Sequence, residues 1–149
     1  MNLSQTNIHI QTISPVDGSI YVERRLATDQ EVEQSIALSR SAQKQWQSFS
    51  IRERASICER AVRYFESNKD QIAQEITWQM GRPISKSGGE INGLAERARH
   101  MIKIAEEALA DEALPEKSGF TRFIRRDPLG IIFCVAPWNY PLLTTVNSI

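Results

Sequence analysis

The chain has 149 residues, which sets an expectation of one domain. Its 18 Lys and Arg balance its 18 Asp and Glu to a formal net charge of zero, so it offers no electrostatic footprint for a long nucleic-acid contact or an anionic membrane. Hydrophobic residues at 41% and charged residues at 24% exclude a disordered, collagenous or disulfide-rich chain.

The start, Met1-Asn2-Leu3-Ser4-Gln5-Thr6-Asn7, lacks the basic region and apolar stretch of a secretory leader. Ile8, Ile10 and Thr12 then alternate on one face, Ser14-Pro15-Val16-Asp17-Gly18 supplies turn chemistry, and Ile20-Tyr21-Val22 resumes an extended pattern. The pattern predicts a hairpin. Thr28 and Glu31 form a capping box ahead of a helix carrying Val32, Ile36, Leu38, Ala42 and Trp46, an imperfect stripe broken by serines and glutamines. Ser50 and Glu53 form a second box, and behind it Ile51, Ala55, Cys58, Val62 and Phe65 step along one helical face. A third helix carries Ile72, Ile76 and Met80, stops at Gly81 and cannot resume through Pro83. After Gly88-Gly89 a fourth carries Ile91, Leu94, Ala98, Met101 and Ala105.

Phe120 to Arg126 reads as a strand with three arginines, Arg122, Arg125 and Arg126. Charge guarding an exposed edge explains them better than phosphate binding. Asp127-Pro128-Leu129-Gly130 is a turn, and Ile131 to Ala136 is apolar on both faces, as in a parallel strand covered by helices. A parallel partner needs a crossover of roughly a dozen or more further residues, whereas the sequence ends at Ile149 inside an apolar-periodic segment. The chain therefore reads as truncated, and a strand without a partner predicts association.

The longest apolar run, Ile131 to Trp138, falls well short of the ~18 residues of a membrane-spanning helix. Cys58 and Cys134 make neither a disulfide framework nor a zinc signature, and both fall on apolar surfaces expected to be buried and inert. His9 and His100 have no company at ligand spacing, so no metal is expected. A reducing cytoplasm is the expected compartment.

The run D-P-L-G, six apolar residues, then Pro137-Trp138-Asn139-Tyr140-Pro141-Leu142 resembles the aldehyde dehydrogenase superfamily. There a P-L-G, an apolar strand and P-W-N-x-P open the cofactor-binding domain. Met80-Gly81-Arg82-Pro83 is similar to the family's G-K-P segment, and Ser14-Pro15-Val16-Asp17-Gly18 to its N-P-x-x-G. Arg82 stands where lysine is usual, an exchange of cations expected to matter little.

Apart from the family, a strand emptying into a Pro-rigidified loop lies where open α/β folds bind ligands. Pro137 and Pro141 fix the backbone around Asn139, whose amide offers two uncharged donors suited to a developing oxyanion. The resemblance implies that Asn139 holds the oxyanion formed when a cysteine thiolate attacks a small-molecule aldehyde. It implies further that Ala136, Pro137 and Trp138 line the ribose of NAD or NADP. For Asn139 the ordered motif outweighs an ordinary turn asparagine; for Trp138 core packing and cofactor contact both stand.

The family's nucleophilic cysteine, glutamate base and glycine-containing cofactor loop lie beyond the equivalent of Ile149. The expected fold is α/β: a hairpin, four amphipathic helices, an oligomerisation-type strand at 120–126 and a first Rossmann-like strand. Residues 1–149 would form an incomplete N-terminal segment of the NAD(P)-binding domain, inactive alone, of a homo-oligomeric enzyme. Its flavour is similar to succinate-semialdehyde dehydrogenases. The alternative is a non-catalytic helical oligomerisation module derived from such an enzyme.

Overall fold

The computed structural model describes residues 9–149. Ile8, expected in the first strand, and the opening residues read for a leader lie outside the described residues. Strands β1 (His9–Ile13) and β2 (Ile20–Arg25) pair antiparallel, with Thr12 opposite Val22 and an irregularity before Ile13. Their loop closes as the turn chemistry requires. The Ser14 N–H donates to the Ser19 carbonyl at 2.8 Å, and Asp17 Oδ1 accepts from the Ser19 N–H at 2.9 Å.

Four long helices follow among the described residues: α1 (Asp29–Ser48), α2 (Ile51–Ser67), α3 (Lys69–Met80) and α4 (Ile84–Ala108). Both predicted capping boxes are present. Thr28 Oγ1 accepts from the Glu31 N–H at 3.3 Å while the Glu31 carboxylate accepts from the Thr28 N–H at 2.8 Å. Ser50 and Glu53 repeat the arrangement at 3.3 and 2.8 Å. Each box satisfies donors that a helix start otherwise leaves free, an arrangement that stabilises by about 1 kcal/mol. α3 ends as expected at Gly81, in the left-handed region with φ of 78°.

The core is built where α2 and α3 lie against α4. Val62, Ala73, Ile76, Ile91, Leu94 and Ala95 are buried there, joined by Val146 from the C-terminal segment. The hairpin docks on α3, with Tyr21 stacked on Trp78 at 5.7 Å between ring centroids. Arg99 of α4 reaches across α2, holding Glu59 at 2.9 Å and Glu66 at 2.6 Å.

Four expectations are corrected. First, α4 begins at Ile84 and runs through Gly88 and Gly89. Pro83 sits just before the helix, and the buried Ser87, Glu90 and Ile91 hold its first turns against α3 and outweigh the weak helix propensity of the glycine pair. Second, α1 buries no residue: Val32, Leu38 and Ala42 are exposed, because serines and glutamines break the stripe. Third, the strand expected over 120–126 shrinks to β4 (Phe123–Ile124), paired with β3 (Glu112–Ala113) in a short ribbon. Arg125 pairs with Asp111 and lies over the Phe123 ring, and Arg126 donates to the Ala110 carbonyl. Fourth, Ile131 to Ala136 is extended but not a strand, and all six residues are exposed. A strand exists only through a partner's N–H and C=O groups, and no described residue supplies them.

Candidate functional site

The chain returns to the helical core after that extended run. Trp138 and Asn139 form a turn, Pro141–Thr145 form a short helix α5, and a 3-10 turn follows at Val146–Ser148. α5 lies on α4, where Gly93 makes room for it. A Cβ on Gly93 would meet Leu143 Cδ1 at 3.1 Å.

Two charged side chains hold the turn. Gly81 reverses the chain at the end of α3, which brings Arg82 to the start of α4 facing the turn. Glu90 lies on the buried stripe of α4, its side chain 1% exposed beside an Arg82 side chain 14% exposed. Arg82 Nη1 donates to Glu90 Oε1 at 2.9 Å, and Nη2 donates to the backbone carbonyl of Asn139. The guanidinium plane also sits 4.8 Å from the Tyr140 ring centroid. Glu90 Oε2 accepts from the backbone N–H groups of Leu142 and Leu143, each at 3.2 Å. A buried ion pair stabilises only when its remaining hydrogen-bonding capacity is used. Here both carboxylate oxygens and both ends of the guanidinium fork are occupied.

Arg82 uses both arms of its fork, Nη1 on Glu90 and Nη2 on the Asn139 carbonyl. A lysine is a point charge and cannot offer two coplanar donors to a carboxylate and a carbonyl at once. Glu90 was missed altogether. Its signal was a carboxylate in register with Ser87, Ile91 and Leu94 on an otherwise apolar stripe, and a charge there implies a buried partner.

The four expected site residues are contiguous and open. Asn139 is half-buried and gripped through its backbone carbonyl, whereas Ala136 and Pro137 are exposed. Trp138 is 75% exposed, so core packing is not its role in this structure. Cys134 is also exposed rather than inside a covered strand. Cys58 is half-buried and, with Trp46, Phe65, Met101 and Leu109, lines an apolar groove between α2 and α4. Among the described residues no three or more His, Cys, Asp or Glu side chains gather where they could hold a metal ion. No described helix is long and apolar enough to cross a membrane.

The family model for the aldehyde dehydrogenase family matches residues 3–149. The chain belongs to the aldehyde dehydrogenase family. The NADP(+) succinate-semialdehyde dehydrogenase 1 of Mycobacterium tuberculosis is 33% identical over 140 residues, covering 93% of this chain and 31% of that protein. Gox0499, solved for insight into cofactor and substrate selection, superposes with a TM-score of 0.86 at 28% identity, over 93% of this chain and 30% of that one. PnpE in complex with nicotinamide adenine dinucleotide gives a TM-score of 0.84 at 26% identity, over 93% and 28%. The chain thus spans about 30% of the length of the relatives it matches.

Proposed function

We propose that residues 1–149 are the N-terminal segment of the NAD(P)-binding domain of an aldehyde dehydrogenase. The enzyme oxidises a small-molecule aldehyde to its carboxylic acid in the cytoplasm and works as a homo-oligomer. The observation that carries the reading is the Asn139 turn, held by Arg82 in the link between α3 and α4 and by Glu90 of α4, in a chain that belongs to this family. Relatives named for NADP and solved with NAD support the cofactor class.

Asn139 is the oxyanion donor. With its carbonyl tied to Arg82, the residue need not reorganise as charge develops on the substrate oxygen. One such preorganised donor stabilises a transition state by ~2.7–4 kcal/mol. Ala136, Pro137 and Trp138 present an apolar, aromatic edge that the core leaves open, and this edge fits the ribose and nicotinamide side of NAD or NADP. The three residues offer no cation and no glycine turn for a pyrophosphate, so they form one wall of the site. The cofactor supplies the hydride acceptor when bound. The open edges of the two ribbons, β1–β2 and β3–β4, are where subunits would pair.

The test is the natural protein, assayed whole. Asn139→Ala should lower kcat by roughly 10²–10³-fold with little change in cofactor affinity, because the donor acts on the transition state. A loss confined to KM would leave Asn139 as a shaper of the loop only. The 149 residues alone should turn over no aldehyde, since nothing in them matches the family's cysteine or glutamate motifs. Turnover abolished by Cys58→Ser or Cys134→Ser would overturn that part.

A further inference from the structure

We propose that Arg82 and Glu90 act together as positioning residues that set the Asn139 turn, the proposal resting on the reading of Asn139 as the oxyanion donor. Neither residue touches the open side of the turn. Both act through the backbone: Arg82 on the carbonyl of Asn139, Glu90 on the N–H groups two and three residues after Tyr140. Asn139 is thereby fixed at both ends of one short segment by groups on a single, continuous charge network. The Tyr140 ring under the guanidinium closes the third side.

The arrangement is more than packing. Apolar side chains could have filled the space beneath α5 with no desolvation cost, and well-packed apolar substitutes often match or exceed a buried ion pair in stability. What an apolar contact cannot do is specify the direction of a carbonyl and two amides. A directional network at the one turn that carries the functional asparagine is what a donor held to within about 0.5 Å needs. The arginine fork supplies both contacts. Nη1 and Nη2 serve different acceptors, Glu90 and Asn139, and one ammonium cannot reproduce that plane.

Amide hydrogen exchange of the whole natural protein, read at Leu142, Leu143, α2 and α4, tests the positioning directly and needs no activity. Arg82→Met keeps the length and removes the charge and the fork; Glu90→Gln keeps the shape and removes the charge. Both should accelerate exchange at Leu142 and Leu143 by about tenfold or more, the factor that goes with losing one charge-assisted hydrogen bond. Exchange in α2 and in the second half of α4 should stay at the wild-type rate. Unchanged exchange at Leu142 and Leu143 overturns the proposal. An equal acceleration across α2 and α4 also overturns it, since the pair would then be a general stabiliser.

Turnover by the same protein supplies the second readout. Arg82→Met should lower kcat while KM for aldehyde and cofactor affinity hold. Wild-type kcat in that variant overturns the positioning role. An inactive wild-type protein would instead sink the enzymatic reading, and the exchange result would still decide whether Arg82 and Glu90 set the turn.

Discussion

Arg82 and Gly81 are adjacent, and each does what no ordinary substitute would. Gly81 has φ of 78°, and a Cβ there would come within 3.0 Å of Pro15 Cγ in the hairpin loop. The residue thus ends α3 and lets the loop close on it. Gly81→Val should destabilise the protein by about 1–2 kcal/mol, the penalty of a left-handed backbone for an L residue. For a domain of this size each kcal/mol lowers Tm by roughly 2–4 °C. An unchanged Tm on thermal unfolding would mean that the backbone there is not left-handed. Sequence reasoning found Gly81 because a glycine followed by proline punctuates a helix in a known way. It did not find Gly93, because that glycine lies inside a helix. Its reason for being small is Leu143, fifty residues further along, and no local pattern reports so distant a contact.

At the scale of elements, local chemistry was legible and tertiary chemistry was not. The hairpin turn, both capping boxes and the stop of α3 each use partners within six residues, and all were readable. The start of α4 was misread because two glycines look like a break until the buried Ser87 and Glu90 are seen. Strand formation over Ile131–Ala136 was misread because apolar content says that a segment suits a sheet, not that a sheet is there. The capping box of α1 makes a testable statement about pH. The Arg25 guanidinium beside Glu31, and then the Thr28 N–H and hydroxyl, hold its carboxyl at about 2, down from 4.5. A depressed acid stabilises the fold fully above its unfolded value and loses that contribution as protons bind. The start of α1 should therefore loosen as pH falls from about 4.5 towards about 2. Carboxyl NMR titration of Glu31 checks this, and a midpoint near 4.5 would show that Arg25 and the cap are not engaged in solution.

For the molecule as a whole, the distribution of apolar surface is the main fact. The buried core is small and lies between α2, α3 and α4, whereas Phe133 is 91% and Val135 77% exposed on an extended run with no charge. Unpaired extended segments of this kind invite pairing with another chain. The 149-residue chain should sediment as oligomers or larger species at micromolar concentration, and Phe133→Lys with Val135→Lys should shift it towards monomer. A wild-type chain that is monomeric by sedimentation velocity contradicts this. The functional turn was legible through its motif, and its support was not, because Arg82 and Glu90 lie some fifty residues from the segment they hold. The same separation gives the exposed run at 131–136 a further consequence. That run is the covalent tether that keeps the Asn139 turn close to α4, at an effective concentration of order millimolar for a flexible linker. It is also open to a protease, being exposed and outside any helix or strand. A single cut there would turn an intramolecular contact into a bimolecular one. At micromolar concentration the turn would then stay in place only if the Arg82–Glu90 network and the Gly93 notch were together worth more than about 8 kcal/mol, the free energy that corresponds to a micromolar Kd.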